Sequence, residues 1–164
     1  MATKYRRFVT GHRRGKSVFL KGGRTSNIQH RPGGTVIHEM WATRRTPASN
    51  DGNKDGAPKG FRLMPPKLGS IFRIIELTPD SKRYRAAGSR PDHAVRGRHP
   101  GFHKTDTIDY AIVLEGEVHA LMDVGERKMK AGDVLIQRGT SHAWANRSRK
   151  NCVIVFVLID AHPV

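Results

Sequence analysis

The chain of 164 residues has a single cysteine, Cys152, so no intrachain disulfide can form. That thiol opens an apolar run ending at Ile159 and is expected to pack there as a small hydrophobe. No segment approaches the length of about 20 apolar residues that a membrane-spanning helix needs, so no membrane partner is expected. The opening residues, MATKYRRFVT, lack the apolar stretch and small-residue cleavage site of a secretory signal, and a cytoplasmic location is expected. Aromatic residues are scarce at 7%, and so are acids: 14 Asp and Glu stand against 30 Lys and Arg, for a net charge of +16. This excess is unevenly spread. Residues 1–50 hold eleven basic residues against the lone acid Glu39, residues 51–108 hold twelve against six, and residues 109–164 hold seven of each. Dispersed charge of this kind is commonly a solvated face. No helix-turn-helix, zinc finger or aromatic single-strand platform accompanies it, so nucleic acid is not an expected partner and polyanion binding ranks last among the functional readings.

What the chain does hold is a succession of short strand-like segments without any long amphipathic helix. YRRFVTG and KSVFL flank the turn-like HRRG and read as an N-terminal arm. In TVIHEMWAT, regular alternation places Val36, His38, Met40 and Ala42 on one face and Ile37, Glu39 and Trp41 on the other. Residues 46–60 are dense in Pro, Gly, Asn and Asp and form a loop. SIFRIIELTP is a further strand, followed by a polar loop from Asp80 to Gly101. IDYAIVLEGEVHALMDV, KMKAGDVLIQRG and NCVIVFVLID then follow at close spacing, turning at Gly116 and Gly132, where positive φ is expected, as it is at Gly139. Cys152–Ile159 is apolar at every position, so both its faces need cover, from the arm or from a second subunit. Ile112 and Leu114 oppose Ala111 and Val113 with the same demand, and a homodimer is expected.

The residues from Gly97 to Asn146 are spaced as in the two motifs of the cupin superfamily. Gly97 precedes His103 by five intervening residues, Thr105 stands where a second His is usual, Asp109 takes the carboxylate position, and Gly116 follows after six more. In the second motif Gly139, His142 and Asn146 keep the spacing, while Gln137 replaces a Pro and Gly132 sits one residue too close. The segment resembles small single-domain cupins of the conserved-barrel type. The resemblance implies an all-β double-stranded β-helix, a jelly-roll barrel with an N-terminal strand arm and long loops. It would form one domain over residues 1–164: arm and first strands in 1–45, a Gly/Pro-rich loop in 46–70, and the barrel core in 71–164.

Such barrels enclose small-molecule sites, and the fold leaves the reaction open. His103, Thr105 and Asp109 share strand parity and can face one cavity, joined there by His142 from a neighbouring strand. Two imidazoles and a carboxylate are the donor set of a facial triad for a divalent Fe, Mn, Zn or Ni ion. The same three residues also read as hydrogen-bonded pocket or core groups, since the usual site has three His and a Glu. Thr105 is a poor ligand that can orient a bound water, and Gln137, Trp144 and Trp41 are candidate pocket residues. Tyr110, alternating away from Asp109, is expected in the core or a dimer interface. His119 is expected in a surface or strand-packing role, and His12, His30, His38, His93, His99 and His162 are expected to be solvated. A metal-dependent lyase, isomerase or dioxygenase acting on a small organic, anionic substrate is the first functional reading. A metal-free, non-catalytic metabolite-binding protein is the alternative.

Overall fold

A computed structural model describes residues 5–84 and 98–164 of the chain. Gly97 and His93 lie outside the described residues. Eleven strands are described: β1 (Arg6–Arg13), β2 (Lys16–Arg24), β3 (Ile28–His30), β4 (Val36–Thr43), β5 (Ser70–Leu77), β6 (Thr107–Glu115), β7 (Glu117–Met122), β8 (Glu126–Lys130), β9 (Val134–Arg138), β10 (His142–Ala145) and β11 (Cys152–Asp160). The four-residue helix α1 (Asp80–Arg83) follows β5. No helix among the described residues is long and apolar enough to cross a membrane.

β1 and β2 form a separate hairpin whose tip, Arg14 and Gly15, has positive φ at both positions, the geometry that matches strand twist in a two-residue turn. An isolated hairpin is marginal in water, and this one is tied to the body by Arg7, which donates to the Met40 carbonyl at 2.9 Å and pairs with Asp55. The remaining strands make a six-stranded sheet in the order β3-β4-β5-β11-β6-β9 and a three-stranded sheet in the order β10-β7-β8. Alternation decides what each strand buries. In β6 the inward set Thr107, Asp109, Ala111 and Val113 is buried, while Ile108, Tyr110 and Leu114 are exposed. Ile71, Ala111, Val113, Ile154, Phe156 and Leu158 of the large sheet meet Val118, Ala120, Met129 and Trp144 of the small one. Trp144 stands edge-on to Phe156 with ring centres 5.2 Å apart. Burying side chains of this size stabilises the fold by about 1.5–3 kcal/mol each. The molecule is therefore a jelly roll, as the resemblance implied. Gly116 joins β6 to β7 at φ +76, and a Cβ there would come within 2.8 Å of the Asn151 carbonyl oxygen, so the turn needs glycine on both counts. Gly132 and Gly139 also have positive φ.

One expectation fails for a local reason. The register of β4 against β5 runs Glu39 opposite Arg73 and then Trp41 opposite Phe72, so Met40 is an extra residue, a β-bulge. Beyond the bulge the faces exchange: Trp41 lies on the outer face beside Phe72, and Ala42 packs into the core instead. Trp41 therefore points away from the inward row that carries Asp109. It is capped by loop residue Gly56, where an added Cβ would touch its indole at 2.6 Å.

The outer face of the large sheet is partly covered by the foot of the arm. Tyr5 packs on the cluster of Met40, Ile74 and Val153, as Val155 also does, and lies edge-on to His38 with ring centres 4.7 Å apart. Beyond that patch the outer face is open. Cross-strand neighbours Trp41, Phe72, Val157, Tyr110 and Ile136 form one apolar row across five strands. Phe72, Tyr110, Val134 and Ile136 are 39%, 41%, 59% and 52% exposed.

Candidate functional site

Two imidazoles meet where the chain crosses between the sheets. His103 and His142 form an isolated antiparallel bridge, each backbone N–H donating to the other's carbonyl at 2.9 Å, and their ring centres lie 4.3 Å apart. Each Nδ1 lies 2.9 Å from a carbonyl oxygen, of Gly101 for His103 and of Thr140 for His142. A carbonyl only accepts, so each Nδ1 carries the hydrogen, and in the neutral ring each Nε2 keeps its lone pair. Neutrality is favoured: burial, and secondarily the neighbouring His103, pushes His142 down to about 4. Gln137 helps to fix the local loop, its Nε2 donating to the Thr140 carbonyl at 2.8 Å. That carbonyl thus holds Gln137 and His142 together. Trp144, two residues along the same face of β10, closes the site on the apolar side with its ring centre 6.0 Å from that of His142.

The inner face of the large sheet supplies charge. Glu39, Arg73, Phe156, Ala111 and Leu135 are cross-strand neighbours in one row, and Ala42, Ile71, Leu158, Asp109 and Gln137 form the next. Arg73 and Glu39 approach to 3.1 Å, both fully buried. Burial raises Glu39 above the ordinary carboxylate range against the pull of Arg73. Burial likewise raises Asp109, opposed by the Thr107 hydroxyl, His103 and Arg73. Oδ1 of Asp109, both carboxylate oxygens of Glu39 and Nε of Arg73 are buried without a hydrogen-bond partner. Unsatisfied polar atoms are costly in an interior, and these lie on two adjacent inward rows of the large sheet. Among the described residues no three His, Cys, Asp or Glu side chains gather closely enough to form a metal centre by themselves.

No family model matches the chain. It is 33% identical over 171 residues to the Phomopsin biosynthesis cluster protein C' of Diaporthe leptostromiformis, covering 96% of this chain and 79% of that one. It is also 30% identical over 167 residues to the cupin-domain-containing oxidoreductase srdD of Neurospora crassa, covering 96% and 76%. The chain belongs to the cupin family. The cupin domain of Schizosaccharomyces pombe Cnp3 shares its fold, with a TM-score of 0.52, 10% identity and coverage of 96% and 89%.

Of the residues singled out in this cupin's sequence, His103, His142, Gln137 and Trp144 come together, and Asp109 faces the interior from β6. Thr105 is buried and accepts a hydrogen bond from the Thr107 hydroxyl at 2.8 Å. Two histidines expected in solvent are not there. His38 is buried beneath Tyr5 with its Nε2 2.9 Å from Glu76, and His99 is mostly covered, 3.2 Å from the buried Asp80. His119 lies 3.2 Å from Glu126, and His12, His30 and His162 are exposed. Sequence reading passed over Arg73. Its signal is an arginine in phase with Ile71 and Ile75 in the otherwise apolar SIFRIIEL, where a charge facing a core needs a purpose.

Proposed function

We propose that this cupin is a metal-dependent enzyme that oxidises a small organic molecule inside the barrel. The observation that carries the reading is the pair His103 and His142, each with Nδ1 committed to a carbonyl and Nε2 left as a donor, the arrangement that orients metal-ligating histidines. The two imidazoles are donors of the type a divalent ion takes, and Asp109, whose Oδ1 lacks a partner, is the carboxylate that would move in to complete the set. Such an ion, Fe, Mn, Zn or Ni, would supply Lewis acidity toward a substrate oxygen and, if redox-active, electrons. The protein's own part is to keep the His142 imidazole neutral by burial, to hold both ring planes through Gly101 and Thr140, and to exclude water with Trp144 and Phe156. Among lyase, isomerase and dioxygenase chemistry, relatives named oxidoreductases support the oxidative branch.

The test is elemental analysis of protein purified without chelator, for the wild type, His103→Ala, His142→Ala and the double variant. Near-stoichiometric metal in the wild type that falls to background in the variants is expected. Equal metal in all four refutes the reading. The non-catalytic alternative draws on Thr105, whose hydroxyl is engaged by Thr107 where a third imidazole would stand. A metal-free protein that binds a small metabolite would favour it.

We further propose that a second copy of the chain covers the open outer face of the large sheet. The row Trp41, Phe72, Val157, Tyr110 and Ile136 and the neighbouring Ile112 and Val134 carry no charge, although the chain as a whole carries +16. Two copies can therefore meet there without opposing like charges. Glu115 lies beyond one end of this patch and Arg138 beyond the other, so a two-fold axis running across the strands sets opposite charges over each other.

A further inference from the structure

We propose that the mouth of the barrel beneath residues 55–66 is a recognition subsite for the anionic head of the substrate, whose apolar body lies toward the core. The inference rests on the reading that the substrate enters the barrel. A cavity of about 530 Å³ opens there, within the range of small-molecule sites. Its inner wall is Ala42 and Ile71, which belong to the same inward row as Asp109. Ile71 and Asp109 are separated by one strand, so the cavity wall and the carboxylate are roughly 10 Å apart.

The charge around this mouth is one-sided. Arg44, Lys59 and Arg62 line it, and none of their side chains makes an ion pair among the described residues. Asp55, the acid on the lining, is already committed to Arg7 at 2.6 Å and Lys21 at 3.0 Å, which holds its carboxyl well below the usual carboxylate range. Three uncompensated cations around an apolar-walled hollow repel one another, and an anion relieves that repulsion. Behind them Phe61 lies between two more guanidinium groups, of Arg31 and Arg73, at 4.8 and 5.1 Å from its ring centre. Arg73 donates to the carbonyl of Arg62 at 2.7 Å, so the loop that carries the rim is anchored to the buried cation of the barrel interior. The ligand class is an organic carboxylate, sulfonate or phosphate with an aromatic or aliphatic body.

The experiment compares two fluorescent probes of matched shape, anionic 1-anilinonaphthalene-8-sulfonate and neutral N-phenyl-1-naphthylamine. They are titrated into the full chain, the mouth variant R44E/K59E, and a control with the same change in net charge, R13E/K16E, at the exposed tip of the β1–β2 hairpin. The mouth variant is expected to weaken the anionic probe by about tenfold or more, with the control and the neutral probe changing less than about twofold. R44Q/K59Q is expected to give an intermediate loss for the anionic probe alone, and serves if charge reversal impairs folding. Equal losses in mouth and tip variants, or no loss in either, overturn the proposal. A failed metal assay with probe selectivity intact removes the catalytic reading alone. Retained metal without probe selectivity removes only the subsite.

Discussion

Acid should destabilise this protein through His142 in particular. The imidazole is held neutral in the fold, pushed down to about 4 from 6.5. Above about pH 6.5 the folded and unfolded chains both keep it neutral, and its contribution to stability is complete. Between there and about pH 4 the unfolded chain takes up a proton that the folded one refuses, so stability falls. At about 1.4 kcal/mol per pH unit the full loss is about 3.5 kcal/mol, roughly 2.5 kcal/mol of it by about pH 4.5. His142→Asn isolates this contribution, because Asn offers a neutral N–H to the Thr140 carbonyl and does not titrate. Asp109 runs the other way: its raised carboxyl favours the fold as pH falls, and that contribution is common to both proteins and cancels. Urea unfolding of chelator-treated wild type and His142→Asn from about pH 7 to about pH 4.5 should show the wild type losing about 2.5 kcal/mol more than the variant. Parallel losses, within about 0.5 kcal/mol, would refute the claim that burial keeps this imidazole uncharged.

Asn146 is fully buried, with Nδ2 donating to the carbonyls of Leu77 and Lys150 at 2.8 and 2.9 Å and Oδ1 accepting from Ser148. Asn146→Ala strands these groups and should lower unfolding stability by about 2–3 kcal/mol in urea titration, with no change in metal content. For the outer face, sedimentation equilibrium of the wild type should return twice the 18.3 kDa chain mass, and Tyr110→Arg should return the single-chain mass. A wild type already at the single-chain mass ends the dimer proposal.

The inward parity of β6 was legible because alternation there is unbroken: Thr107, Asp109, Ala111 and Val113 stay in phase through the strand. The imidazole pair was legible through motif spacing, although the two histidines are 39 positions apart and meet only through a backbone bridge. Trp41 was misplaced because one surplus residue, Met40, breaks a period that nothing in TVIHEMWAT announces. His38 and His99 were misread for another reason. Each is covered by partners distant in sequence, Tyr5 and Glu76 for one and Asp80 for the other, and local composition does not report such partners. The Glu39–Arg73 contact needs the register of β4 against β5, which alternation within either strand leaves undetermined.

Because the surplus residue at Met40 sits midway along β4, it divides that strand into two stretches with opposite phase. Replacing Met40 by another apolar residue keeps the bulge, whereas deleting it would leave Trp41 opposite Phe72 and Ala42 opposite Ile71 in a regular ladder, at the cost of the buried Met40 side chain. Loss of this one residue should therefore leave every remaining side chain of β4 on its present face, whereas an added residue beside it would need a second bulge or would exchange the faces of Ala42 and Thr43.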